Sequence, residues 1–209
     1  MKYQWKIEEE PQEYNSAMRF MESVVQDIID NKLDNLLWVL EHLDVYTKGT
    51  SAEESDLLNK NSNIPILQSN RGGKWTYHGI GQRVVYPIVN LSSHKNIHQY
   101  IEKLEQLVIL ILNELNIDAF LKKGLVGVWV LDNNLEKKIA SLGIRIRKWV
   151  VYHGISINVN PDLNKFNNII PCGINNYGVT SIEQMGVKIC YKDFDALLKE
   201  KFRLLFDNY

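Results

Sequence analysis

The chain is short of cysteine, of net charge and of long apolar runs, and each shortage removes a class of protein. It has two cysteines, Cys172 and Cys190. Two thiols make no disulfide framework, so both are read as free thiols in a reducing compartment. Lysine and arginine number 24 against 25 acidic residues, a formal net charge of −1. That balance predicts no polyanionic partner and no membrane surface, so neither nucleic acid nor membrane is expected as a partner. No run approaches the roughly 20 apolar residues that span a bilayer. Met1 to Glu10 is charged and carries no apolar segment of signal-peptide length. A cytoplasmic protein is expected. Metal-binding signatures are missing: there is no His-Glu-x-x-His, no paired Cys-x-x-Cys and no close acid–histidine cluster. Nor is there a Walker-type or dinucleotide fingerprint, an internal repeat, a low-complexity tract or a linker. The remaining composition, 45% hydrophobic and 23% charged over 209 residues, is that of one globular domain spanning 1–209.

Apolar residues mark three helices. Tyr14, Met18, Met21, Val25 and Ile28 share a face over 12–31. Ile97, Ile101, Leu104, Val108, Ile111 and Leu115 do so over 95–116. Phe194, Leu197, Leu198, Phe202 and Leu205 do so over 193–206, with Asp193 as the expected cap. Strands are expected at 36–40, 45–47, 64–67, 83–91 and 127–131. A further strand pair, within 137–159, turns near Arg147-Lys148. Pro87 places its strand at an edge or at a bulge. Polar stretches 48–63 and 160–168 read as loops, and Asp132-Asn133-Asn134 as a turn. This mixture predicts an α/β or α+β domain, a mixed β-sheet with packed helices.

The densest chemistry lies in Arg71-Gly72-Gly73-Lys74-Trp75-Thr76-Tyr77-His78-Gly79-Ile80-Gly81-Gln82, four glycines in twelve residues between two apolar runs. Glycine serves where backbone takes unusual dihedrals or must be approached closely, so the stretch reads as a binding loop between strands. Cys172, between Pro171 and Gly173, is a candidate nucleophile, but a free thiol is only a few per cent ionised at pH 7 and needs a cation or base nearby. Taken alone, its local sequence favours a small buried apolar residue, the usual fate of a free cysteine. Cys190, in Val187 to Tyr191, reads as core. Lys138, ahead of Ile139-Ala140-Ser141-Leu142-Gly143, reads locally as one more surface lysine. His78 and His153 each sit in a Tyr-His-Gly triplet, while His42, His94 and His98 read as surface. Arg145, Arg147 and Lys148 form a basic edge able to meet an acidic partner.

Four segments in order resemble one family. Arg71-Gly72-Gly73-x-x-Thr76-Tyr77-His78-Gly79-x-Gly81-Gln82, Lys138-Ile139-Ala140-Ser141-Leu142-Gly143-x-Arg145, His153-Gly154-x-x-x-Asn158-Val159 and Pro171-Cys172-Gly173 are similar to those of the lipoyl(octanoyl) transferases of lipoate biosynthesis. The resemblance extends from the first helix to about Gly186, with Ile80 standing where the family usually has proline. It implies the fold of the biotin/lipoate ligase–transferase superfamily. It also implies transfer of an octanoyl group from octanoyl-acyl carrier protein to a lysine of lipoyl domains. The acceptors would be 2-oxoacid dehydrogenase complexes and the glycine cleavage H protein. Cys172 matches the acyl-thioester cysteine and Lys138 its partner lysine. Substrate-binding positions fall on Arg71, Gly72, Gly73, Lys74, Trp75, Thr76, Tyr77 and His78, on Ser141, Leu142 and Gly143, and on Gly154, Ile155 and Ser156, with His153 in support. No ATP, metal or other cofactor is expected, and a monomer is expected. The competing readings are an ATP-dependent lipoate or biotin ligase of the same superfamily, and a non-catalytic module that binds acyl chains or carrier protein.

Overall fold

The computed structural model describes residues 3–60, 62–173 and 177–207; the side chain of Cys172 lies outside the described residues. The main sheet runs β1(Tyr3–Ile7), β2(Asn35–Leu40), β6(Gln82–Asn90), β10(Val150–Asn158), β9(Leu135–Arg147), β8(Leu125–Asp132), β7(Ala119–Lys122), with the short β11(Gly178–Val179) added alongside β9. A smaller sheet has the order β4(Ile66–Gln68), β3(Val45–Lys48), β5(Trp75–His78). Both sheets are mixed: β1–β2, β3–β4 and β9–β11 run parallel, the other pairs antiparallel. This is the mixed-sheet α/β fold expected from the sequence.

Strand alternation divides the core into two layers. On β2, Leu37 and Val39 face one side, with Val85 and Val89 of β6 and Val151, Ile155 and Ile157 of β10. That side is covered by α2(Ile97–Glu114) and α3(Tyr191–Phe206), through Leu104, Val108 and Ile111 and through Phe194, Leu198 and Phe202. Leu36, Trp38 and Leu40 face the other side, where α1(Tyr14–Ile29) lays Met21, Val25 and Ile28 on them. Under the small sheet, Tyr46, Trp75 and Tyr77 pack with Phe166 and Ile169. No helix among the described residues is long and apolar enough to cross a membrane.

Five local expectations change. Pro87 is neither at an edge nor at a bulge: β6 is central, and Pro87 pairs with Leu37 of β2. On its other flank the β6–β10 ladder pairs Val151 with Val89 and Ile155 with Val85 and skips the positions between. Pro87, which has no N–H to give, thus falls in the gap of that ladder. Gly154 makes room for the ring, since a Cβ there would lie 2.7 Å from Pro87 Cδ. Asp193 does not cap α3; the cap is Cys190, whose thiol donates to Asp193 Oδ2 at 3.2 Å. Cys190 is accordingly exposed rather than in the core. His42 is buried rather than at the surface, its ring bonded to Gln12 and Tyr86. Finally, the glycine-rich stretch is only partly loop, because Trp75–His78 forms β5 against β3.

Candidate active site

The site is a cavity of about 220 Å³ between the two sheets. Beyond Ala140, β9 has no β8 partner, so its free edge is available. The loop at 71–74 covers that edge: Gly72 N–H donates to Ile144 O at 3.0 Å. Gly143 permits the approach, because a Cβ there would sit 3.0 Å from Gly72 O. A second loop clamps the first, with the amides of Gly49, Thr50 and Ser51 donating to the carbonyls of Lys74, Arg71 and Gly73. Gly49 is required here, since its Cβ would fall 2.2 Å from Gly73 O.

Arg71 folds back into this construction. Its guanidinium donates to Thr47 O, Thr47 Oγ1, Lys74 O and Gly72 O at 2.8–3.0 Å. It lines the cavity while stitching the loop to β3. Gly73, Lys74, Trp75, Thr76, His78, Lys138, Ser141, Leu142, Gly143, His153, Gly154, Ile155 and Ser156 also line it. Gly72 and Tyr77 stand apart from the wall. Gly72 serves the loop–strand contact, and Tyr77 points to the opposite face of β5, its hydroxyl on Asp44 Oδ1 at 2.7 Å. Alternation along β5 accounts for Tyr77, because Thr76 and His78 take the cavity face. Val84, Tyr86, Gly124, Leu125 and Val126 line the cavity although the sequence did not single them out. Gly124 in its tight turn (φ +80°) was the readable signal among them.

Lys138 is buried in β9. Its Nζ donates to Val126 O at 2.9 Å and lies 4.9 Å from the centre of the Trp129 ring. A bulge between β8 and β9 shifts the register, pairing Val128 with Ala140 but Trp129 with Lys138. The lysine stem then passes over Gly127, where φ is +113° and a Cβ would come 3.3 Å from Lys138 Cε. With Arg71 and Lys74, Lys138 makes the wall cationic; no carboxylate lines the cavity among the described residues.

The backbone of Cys172 belongs to a single helical turn, Pro171–Gly173. Ile170 N–H donates to Asp56 O at 2.7 Å, and Gly173 N–H to Ile170 O at 3.0 Å. Gly173 (φ +65°) lies against Lys74, where a Cβ would meet Nζ at 2.5 Å. Lys74 Nζ in turn bonds Glu53 at 3.3 Å and lies 3.7 Å from Asp56. The Cys172 backbone thus sits beside one cationic wall residue. After it, Val179 of β11 pairs with Lys138 itself.

Beyond the cavity wall lies a buried polar layer. Gln82 Oε1 accepts from Ser156 Oγ at 2.9 Å and from His78 Nδ1 at 3.2 Å, so His78 carries its proton on Nδ1. Gln82 Nε2 donates to Asn158 Oδ1 and Tyr77 O. Tyr86 donates to His42 Nε2 at 2.8 Å, since His42 Nδ1 gives its proton to Gln12 O. His153 Nε2 donates to Asn70 Oδ1 at 2.6 Å, and buried Nδ1 has no hydrogen-bond partner among the described residues. Burial pushes all three imidazoles down, His42 to about 4, His153 to about 3 and His78 well below 6.5. Neighbouring cations and imidazoles add to this for His78 and His153. All three are neutral at pH 7.

A family model, the lipoyl protein ligase A/B catalytic domain, matches residues 13–203. An octanoyltransferase of Ehrlichia canis (strain Jake) is 45% identical over 208 residues, 99% of this chain and 97% of that protein. The chain belongs to the octanoyltransferase family. An octanoyltransferase of Rickettsia bellii is 46% identical over 200 residues, covering 94% of this chain and 95% of its own. Among solved structures, a putative lipoate protein ligase from Thermoplasma acidophilum with bound lipoic acid superposes with a TM-score of 0.80. It has 15% identity and covers 99% of this chain and 86% of that one. A lipoate-protein ligase A bound with ATP gives 0.77 at 15% identity, with 99% and 86% covered. At such identity these two speak for the fold. In this octanoyltransferase-family chain, the cavity lies where β9, β10 and the glycine-rich loop converge.

Proposed function

We propose that this chain moves an octanoyl group from octanoyl-acyl carrier protein, through a thioester on Cys172, to a lysine amine of lipoyl domains. The observation that carries the reading is Lys138: a buried lysine on the wall of a largely apolar cavity, a wall that also holds Lys74, against which Gly173 beside Cys172 is packed. The acyl chain fits the apolar part, Val84, Leu142 and Ile155. Burying six or seven carbons at about 0.8 kcal/mol each contributes roughly 5 kcal/mol.

The steps balance around one proton. An ammonium on Lys138 favours the Cys172 thiolate. The thiolate attacks the thioester carbonyl of the donor, and the carrier sulfur leaves, taking a proton from Lys138. Neutral Lys138 then accepts the proton of the acceptor amine as that amine attacks the Cys172 thioester, and the Cys172 thiolate is regenerated. One thioester exchanges for another, so the scheme needs neither ATP nor metal. Gly173 N–H is already engaged by Ile170, and the one proton of neutral His78 is engaged by Gln82, so a donor for the oxyanion has to come from another group on the cavity wall. The acceptors in this reading are the lipoyl domains of 2-oxoacid dehydrogenase complexes and the glycine cleavage H protein, met by a cytoplasmic monomer.

The test is intact-protein mass spectrometry after mixing with octanoyl-acyl carrier protein and no ATP. A gain of one octanoyl group, lost in Cys172→Ala, is the expected result. No adduct from an active donor, with octanoylation by octanoate and ATP unaffected by Cys172→Ala, would move the protein to the ligase reading.

A further inference from the structure

Glu105 of α2 is buried in the main core beside Leu104, Leu107 and Val108, away from the cavity wall. Carboxylates are seldom buried without a compensating group. Glu105 Oε1 accepts the Gly127 amide at 2.7 Å. The carbonyl of that same peptide unit is Val126 O, which accepts Lys138 Nζ at 2.9 Å. The amide is planar, so fixing the direction of its N–H fixes the direction of its C=O. This plane needs fixing. Gly127 must be glycine to clear the Lys138 stem and Ala140 O, and at φ +113° a glycine does little to hold its own peptide in place.

We propose that Glu105 is a positioning residue for Lys138, acting through the Val126–Gly127 peptide. Its role in turnover rests on the lysine function proposed above. The two charges lie at opposite ends of one polarised amide, so each strengthens the hydrogen bond of the other. Burial and Glu102 push the Glu105 carboxyl up, while the Gly127 amide and the Lys138 ammonium pull it down.

The test compares Glu105→Ala and Glu105→Gln, alone and in a Lys138→Ala background. Glu105→Ala is expected to lower kcat roughly ten- to hundredfold, the scale of a misplaced catalytic group, with the donor KM unchanged. Glu105→Gln keeps an oxygen for the Gly127 amide and is expected within about fivefold of wild type. With Lys138 already removed, Glu105→Ala should cost less than about twofold more. Labelling of Lys138 by an amine-reactive reagent, read by peptide mass spectrometry, is expected to accelerate at least tenfold in Glu105→Ala. That readout needs neither Cys172 nor acyl transfer. If wild type forms no acyl-enzyme, the thioester scheme falls while labelling still decides the role of Glu105. Wild-type kcat and labelling in folded Glu105→Ala would overturn the proposal, as would an equal loss in the Lys138→Ala background. Should Glu105→Ala not fold, Glu105→Met fills the same space without an acceptor and is judged by the same outcomes.

Discussion

Gly127 and Lys138 occupy one space: a Cβ on Gly127 would lie 3.3 Å from Lys138 Cε and 2.6 Å from Ala140 O. Gly127→Ala should therefore act on the lysine as well as on the strand. Strain at φ +113° alone is expected to cost about 1–3 kcal/mol. Moving the lysine stem adds a loss of turnover of at least tenfold. Gly186→Ala is the control, since its φ is +89°, nothing among the described residues lies within 4 Å of its Cβ, and it does not line the cavity. Urea unfolding should show both variants weakened, and octanoyl transfer only Gly127→Ala impaired beyond its folded fraction. Equal transfer by the two would mean that the lysine does not depend on this clearance.

Arg71 is the second place where a lining residue is first a builder. It holds two carbonyls and a hydroxyl with one fork of its guanidinium, Thr47 O, Thr47 Oγ1 and Lys74 O. A lysine there keeps the charge but not the fork. Arg71→Lys is expected to cost about 2–3 kcal/mol of stability, and to raise the donor KM more than it lowers kcat, because the loop it holds forms the cavity wall. Equilibrium unfolding and steady-state kinetics check both parts, and an unchanged midpoint would refute the stitching role.

The three buried imidazoles make acid the weak side of this protein. Their folded pKa values lie below the unfolded value near 6.5, so the unfolded chain binds the extra protons. Their contribution is complete above pH 6.5 and declines as pH falls through 6.5 toward about 4 for His42 and about 3 for His153. Carboxylates held low by partners, such as Asp132 and Glu13, lose their contribution only below about pH 4.5. Glu105, held high by burial, works in the opposite direction. Between pH 6.5 and 5 the histidines thus dominate, at up to about 2 kcal/mol each. Urea midpoints at pH 7 and 5 should fall in wild type and fall less in His42→Gln. Parallel falls would show that His42 is not part of the effect.

Much of this architecture was legible because it is local. The helical faces of α1, α2 and α3 repeat in the sequence, and two hairpins turn at residue pairs with positive φ, Asn133-Asn134 and Lys148-Trp149. What the sequence hid depends on distant partners. β1 and β7 are short edge strands defined by what they pair with, and β5 is four residues masked by flanking glycines. His42 looked like a surface histidine because Gln12 and Tyr86, which satisfy it, are 30 and 44 residues away. Cys190 sits in an apolar run, but the start of α3 turns it to solvent. Lys138 was ordinary in its local sequence and stood out only through family resemblance. Its burial comes from a bulge in β9 and a glycine in β8 that no single segment displays.

The apolar cavity makes a last prediction about chain length. Leu142 lines it from the part of β9 that lies beyond β8, and is only partly buried, so a larger side chain there has space to enter the cavity. Leu142→Trp should occupy volume otherwise open to the distal acyl carbons, in a cavity of about 220 Å³. Excluding two methylenes removes about 1.6 kcal/mol of burial, roughly 15-fold in kcat/KM for an octanoyl donor. A hexanoyl donor, shorter by those two carbons, should lose much less, so the octanoyl-to-hexanoyl ratio falls by about that factor. The measurement is kcat/KM for both donors in both proteins. A ratio unchanged in Leu142→Trp would place the acyl chain outside this cavity and return its lining to a purely structural part of the fold.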